Sequence, residues 1–358
     1  MKLTLHNGTG KTGSSAIQGF MNYNRERILE ESGVLYPNTS GIHVDRGDCH
    51  NHSGFFVNQP LEYQLERMQT VIKFAEERQL ERVVLSSESA KPALKKLVST
   101  LMNEMKHLDV EILIYFRRQD HWLESAWKEW GSKNGSTTFD EYLTSFFSCK
   151  DGVRFVRESS PIDYSARLQK WEQIVPPSNI RVRVYEPNQL LDQNVIHDFL
   201  QTLGISRNED YTKPPTSRKN QNLGTSASVV EFMRQGWGLA GSTLDLIAKD
   251  LIYEALGPVV RKKPYDRYPF LSPSTRIEVL RAVEEANSRI ARTYLGREDG
   301  KMFLEPWPDP NECWEPPEVS EDLLCDHLLQ LALWMAGQRK NLEADLDKLR
   351  QQGHEPNG

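Results

Sequence analysis

Apolar and polar positions alternate over residues 2–6, with Leu3 and Leu5 on one side, so the chain enters a short strand. A polar, glycine-rich stretch follows over 7–13. From Ser14 the spacing changes: Ala16, Ile17, Phe20, Met21, Ile28 and Leu29 recur at helical intervals, and Gly33 is placed to stop the helix. Residues 34–37 form a brief second strand that runs into a long polar loop. Leu61, Leu65, Met68, Val71, Ile72 and Ala75 mark the next helix. An apolar strand over 82–86, a helix over 91–106 and the strongest strand of the chain, 110–116, come next. Helices over 120–131 and 139–147, a strand over 180–185 and a helix over 195–203 complete the series. Strands alternating with helices predict an α/β fold of three layers, a mostly parallel, P-loop-like sheet flanked by helices.

After about residue 210 the strand signals stop. Residues 225–237, 244–256, 274–295 and 320–349 follow helical spacing, with a connector rich in Pro and Trp over 306–317 and Ser320 as N-cap of the last helix. Two regions are expected: an α/β domain over 1–210 and a helical C-terminal extension over 211–358 that completes or covers the active site. The last helix carries Leu324, Leu328, Leu331, Leu342, Leu346 and Leu349. Its first reading is a packed amphipathic helix. A homodimer seam along this C-terminal helix is the second, because the heptads are not sustained. No internal repeat is present.

Composition narrows the function. Of 358 residues, 38% are hydrophobic and 26% charged, and the net charge is −6. A soluble, globular chain is expected, with no nucleic acid partner, since neither a basic excess nor a basic tail is present. An anionic ligand must be held by local cations. No charged-then-apolar leader precedes the first strand, and no run of about 18 apolar residues occurs, so a cytoplasmic protein without a membrane span is expected. Cys49, Cys149, Cys313 and Cys325 are far apart and form no C-x-x-C pair, which predicts free thiols and no metal.

The segment from His6 to Ser15 reads strand, glycine-rich loop, helix start. Backbone N–H groups and the positive end of a helix converge at such a junction and bind anions. Lys11 adds a mobile cation, and Thr12, Ser14 and Ser15 add hydroxyls. A nucleoside triphosphate loop of the form G-x-x-x-x-G-K-[ST] fits at Gly10-Lys11-Thr12, but its first glycine would fall at Leu5, so that spacing fails. The string Lys11-Thr12-Gly13-Ser14-Ser15 instead resembles the 5′-phosphosulfate loop of the sulfotransferases that use 3′-phosphoadenosine 5′-phosphosulfate (PAPS). A second element of that family is an arginine after a central strand with a serine eight residues on. Arg117 and Ser125 stand at those positions. Residues 33–37, 83–88 and 117–125 look like bacterial members of the family, and the likeness extends over about residues 1–205.

The resemblance implies a transferase that moves a sulfuryl group from PAPS to a hydroxyl or amine of a small-molecule or glycan acceptor. Gly10, Lys11, Thr12, Gly13, Ser14 and Ser15 would hold the phosphosulfate, Arg117 and Ser125 the 3′-phosphate, and no metal is needed. Arg118 competes with Arg117 for its role. Three residues compete for the base: Glu88, just past strand 82–86 at the carboxyl end of the sheet, then His52 and His50 in the loop after the second strand. Trp122, Trp127 and Trp130 are core or stacking residues. Arg25 with Arg27, and Arg261-Lys262-Lys263, are candidates for an anionic glycan, and Arg218-Lys219 with 222–226 for a loop over the nucleotide. Two other functions stay open: a P-loop kinase or NTPase, which would need a magnesium-binding Asp after an apolar strand, and a non-catalytic nucleotide-binding scaffold.

Overall fold

The computed structural model describes residues 1–37, 52, 60–88, 92–130, 137–150, 153–158, 160–211, 227–240, 252, 255, 256, 270–315 and 320–352. Its strands are β1 (Lys2–Asn7), β2 (Val34–Leu35), β3 (Arg82–Ser87), β4 (Asp109–Phe116), β5 (Phe147–Lys150), β6 (Val153–Val156) and β7 (Ile180–Val184). Its helices are α1 (Ser14–Tyr23), α2 (Arg25–Ser32), α3 (Leu61–Glu77), α4 (Pro92–Glu104), α5 (Gln119–Trp130), α6 (Phe139–Ser145), α7 (Tyr164–Glu172), α8 (Val195–Leu203), α9 (Ala227–Ala240), α10 (Pro273–Leu295) and α11 (Glu321–Gln352).

Five strands pair in the order β2-β3-β1-β4-β7, all parallel. The α/β fold expected from the alternation is the fold the chain has. Side chains of β4 alternate between two cores, as strand geometry requires. Ile112, Ile114 and Phe116 join Leu3, Leu5, Val83 and Leu85 on one face, while Leu113 and Tyr115 meet Ile17, Phe20 and Phe199 on the other. Burying each such side chain contributes roughly 1.5–3 kcal/mol, so the sheet holds itself between the helix layers. β1 lies in the middle of the sheet. The chain fills one side of it with β2 and β3 and then crosses to the other with β4, and ligands of open α/β sheets bind at the carboxyl ends beside such a reversal.

Three local features differ from the expectation. The helical pattern over 14–29 is two helices, because Asn24 turns the backbone out of helical geometry and its Nδ2 donates to Phe20 O at 3.0 Å. The helix expected over 139–147 stops at Ser145, and Phe147 begins an antiparallel β5–β6 pair. α7 was not expected at all. Gly33 does end α2, at φ +65°.

The chain divides into two compact units that interleave in sequence. One comprises 1–123, 145–220 and 274–310, and the other 124–144, 221–273 and 311–358. Residues 274–310, expected in the helical extension, thus belong to the first unit, and 124–144 to the second. In the first, Ile290 and Ala291 of α10 are buried in the core of the sheet, and Asn287 exchanges side-chain amide bonds of 2.8 and 3.0 Å with Gln119. In the second, the Trp127 ring packs against Phe139, Tyr142 and Phe270. Among the described residues no helix is long and apolar enough to cross a membrane, and Cys149, Cys313 and Cys325 are unbridged.

Candidate functional site

β1 ends at Asn7, level with Ser87 of β3, and the chain then forms the loop 8–13 before α1. Gly10, Lys11 and Gly13 have φ of +70°, +57° and +78°. A left-handed lysine is an uncommon conformation held only where its surroundings dictate it. Here the surroundings tie the loop carbonyls down. Trp122 Nε1 lies 3.2 Å from both Thr9 O and Gly10 O, Arg117 Nη1 donates to Lys11 O at 3.2 Å, and Arg167 Nη2 donates to Gly8 O at 2.8 Å. Thr9 Oγ1 reaches back to Tyr115 O at 2.9 Å. With these carbonyls engaged and Gly8 N bonded to Ser87 O at 3.1 Å, the loop has the form of a backbone nest for anions. The N–H groups of Ser14 and Ser15 precede the first bond of α1, from Ala16 N to Gly13 O, and so belong to the orphaned donors of a helix start.

Two hydroxyls make the case specific. Thr12 is 0% and Ser14 2% exposed, and neither Thr12 Oγ1 nor Ser14 Oγ has a hydrogen-bond partner. Burying a hydroxyl unsatisfied costs about 1–3 kcal/mol, so a pair of them at a helix start fits a ligand rich in acceptor oxygens. Lys11 and Gly13 are half-buried, Gly10 is buried and Ser15 is exposed. Phosphate or sulfate oxygens suit this donor set.

Arg117 follows β4, half-buried, with its guanidinium carbon 5.8 Å from the centre of the Tyr185 ring. Its competitor Arg118 is otherwise engaged: Nε and Nη2 bind both oxygens of Asp120 at 2.9 and 3.0 Å, and Nη1 donates to Glu305 O and Pro306 O. Burial works against the Asp120 charge, but His121, Arg118 and Arg276 outweigh it and hold the carboxyl below its usual range. Arg118 is therefore a strut within the fold, and Arg117 is the arginine of the two that lies against the loop. Ser125 lies half-buried on α5, in the second unit.

Of the two candidates for the base that are described, Glu88 is the one exposed at the loop, its Cγ 3.2 Å from where a Cβ on Gly8 would be. His52 is a correction. It is wholly buried against the Tyr36 ring, its Nδ1 accepts from Ser86 N at 2.9 Å, and Nε2 lies 2.7 Å from Pro37 O, so the proton sits on Nε2. Burial lowers it from 6.5 to about 4, against the opposing pull of the Pro37 and Ser86 bonds. With both nitrogens used and no solvent access, it anchors the chain to β3 and does not act as a base. His50 lies outside the described residues, as do Arg218-Lys219, 222–226 and Arg261-Lys262-Lys263. Trp122 belongs to the core and pins the loop; Trp127 is core to the second unit. Arg25 bonds Asn22 at 3.1 Å and Arg27 bonds Asp210 O and pairs with Glu31, so neither is held ready for a glycan.

Sequence reasoning missed a polar group beneath the loop and a cation beside it. His6 Nδ1 and Gln18 Nε2 lie 2.8 and 3.0 Å from Ser86 Oγ. The serine hydroxyl thus bridges the imidazole and the amide, and His6 Nε2 is buried without a partner. Burial, then the nearby Arg167, lower His6 to about 3. Arg167 went unseen because α7 did. The signal was Asp163 ahead of Tyr164, Leu168 and Trp171 at helical spacing, and Asp163 Oδ1 does cap α7 by accepting from Ala166 N.

No protein-family model matches the chain, and no solved structure matches it. An uncharacterized protein of Archaeoglobus fulgidus is 26% identical over 228 residues, which is 62% of this chain and 56% of that relative. The chain thus spans little more than half the length of the curated relative it matches.

Proposed function

We propose that this chain is a PAPS-dependent sulfotransferase. The observation that carries the reading is the loop after β1, with Thr12 Oγ1 and Ser14 Oγ buried and unpartnered beside Lys11 at a helix start. In this reading the loop N–H groups and the two hydroxyls hold the phosphosulfate, and Arg117 holds the 3′-phosphate. The acceptor oxygen forms a bond to sulfur as the bond between sulfur and the bridging oxygen breaks. The acceptor proton passes to Glu88, and the bridging oxygen leaves with the 5′-phosphate, its growing charge met by Lys11. As in phosphoryl transfer, positioning and electrostatics do most of the work. The acceptor is a small molecule or glycan, the protein acts in the cytoplasm, and α11 is the seam of a homodimer.

Calorimetry with adenosine 3′,5′-bisphosphate and with ATP, each with and without magnesium, tests the nucleotide. The bisphosphate binds without metal and more tightly than ATP. Arg117→Ala weakens it by about one to two decades, the size of a lost charge-assisted bond, while AMP, without the 3′-phosphate, binds both proteins alike. Magnesium-dependent ATP binding with no bisphosphate signal supports the kinase alternative instead.

A further inference from the structure

Beside the loop, α4 and α7 gather three cations whose chemistry names a substrate class for the proposed function, on which this step rests. Lys95 of α4 has its Nζ 5.6 Å from the centre of the Trp171 ring. Trp171 Nε1 donates to Asn7 Oδ1 at 3.2 Å, and Arg167 Nη2 donates to the same oxygen at 3.1 Å and to Gly8 O at 2.8 Å. Contacts therefore run unbroken from Lys95 to the first residue of the loop. Lys170 is exposed three positions past Arg167, on the same side of α7.

Among the described residues none of these three cations forms an ion pair. Arg167 Nε is buried without a hydrogen-bond partner. The cations instead oppose one another: burial, then Lys170 and Arg167, bring Lys95 down to about 8. Arg167 is lowered to about 10 by burial, against the fields of Tyr164 and Glu88. Glu88 is the nearby carboxylate, and the base role uses it. Gathering like charges costs free energy unless a counter-charge arrives.

We propose that the acceptor is anionic, a saccharide or small molecule whose carboxylate or sulfate is held by Lys95, Arg167 and Lys170 so that its hydroxyl reaches Glu88 and the loop. This surface differs from the Arg25–Arg27 face, whose guanidiniums are committed to Asn22, Asp210 and Glu31.

Lys95 itself reports the site. A half-buried amine lowered to about 8 reacts readily with acetic anhydride at pH 8, and its modification is read by mass spectrometry. The full chain is labelled alone, with adenosine 3′,5′-bisphosphate, with a sulfated glucuronyl disaccharide and with maltose. The charged disaccharide protects Lys95 and maltose does not. Lys170→Ala shifts that protection to about three- to tenfold higher disaccharide concentration while bisphosphate affinity, measured by calorimetry, stays as in the wild type. Equal labelling of Lys95 under all conditions overturns the inference. So does protection by the bisphosphate alone, which would give the cluster to the nucleotide. If the disaccharide protects Lys95 but calorimetry shows no bisphosphate binding, the anion site stands and the sulfotransferase reading falls.

Discussion

Gly8 shows how closely single atoms set the candidate site. A Cβ there would lie 2.4 Å from Ser14 Oγ and 3.2 Å from Glu88 Cγ. The clash falls on a hydroxyl that can rotate, so Gly8→Ala folds, with the Ser14 hydroxyl turned away from its place. Bisphosphate affinity should then fall about tenfold, the value of one hydrogen bond to a charged group, with little change in Tm. Ser14→Ala should do the same, and the double variant should lose no more than either single one, because both remove one contact. Titrations of the three proteins check this. Full affinity in a folded Gly8→Ala protein takes the Ser14 hydroxyl out of the site. Gly13 behaves differently: at φ +78°, with Val195 Cγ1 2.9 Å and Tyr185 Cε2 3.1 Å from its Cβ position, an alanine strains the backbone and costs stability of about 1–3 kcal/mol.

Among the described elements, α11 carries the most exposed large apolar side chains. Ser320 begins it, its Oγ accepting from Leu323 N at 3.2 Å, and His327 turns inward to Ser228 of α9. Leu328, Leu333, Met335 and Leu342 are 55%, 65%, 59% and 64% exposed, and 328, 335 and 342 lie one heptad apart. A second copy of the same stripe is the occupant that matches this repeat, and Gln338 between the apolar positions keeps the seam weak. Sedimentation should show a dimer at micromolar concentration, and the double variant Leu328→Glu, Leu342→Glu a monomer with unchanged nucleotide affinity. A monomeric wild type removes the seam. Periodicity made most elements legible: α8 was expected over 195–203 and spans Val195–Leu203, and β1, β3, β4 and β7 differ from expectation by one residue at an end. What it could not show was contact. Phe146 and Phe147 continue the apolar spacing of α6, yet Phe147 pairs with Val156. The loop motif was legible as a string of residues, but the ties from Trp122 and Arg167 that shape it arise only when the sheet brings residues more than a hundred positions apart together.

For the molecule as a whole, the buried histidines decide the response to acid. His6 and His121 are lowered to about 3 and His52 to about 4, from an ordinary 6.5. Burial is the first cause in each case, helped at His6 by Arg167 and at His121 by Arg118, Arg117 and Arg276 against the pull of Asp120. A folded value below the unfolded one means that, as pH falls below 6.5, the unfolded chain takes up protons that the folded chain refuses. Stability is therefore complete above about pH 7 and declines through the window between 6.5 and 4, by up to about 1.4 kcal/mol per pH unit for each histidine. Asp120 acts in a different range. Its carboxyl is held below the usual value, so its contribution is present throughout this window and is lost only as pH falls further. All three histidines belong to the unit that contains the sheet, and two of them support the strands from which the loop emerges: His6 within β1, and His52 through Ser86 of β3. Urea unfolding followed from pH 8 to pH 5 should give a flat stability down to about pH 7 and a loss of several kcal/mol by pH 5. Bisphosphate affinity should fall along the same curve, since the loop depends on those strands. His121→Gln, which leaves the strands in place, should make the slope shallower by about one proton. A stability that stays level to pH 5 would mean that these imidazoles are protonated as easily in the folded chain as in the unfolded one, and that the polar packing beneath the loop is not as tight as the structure has it.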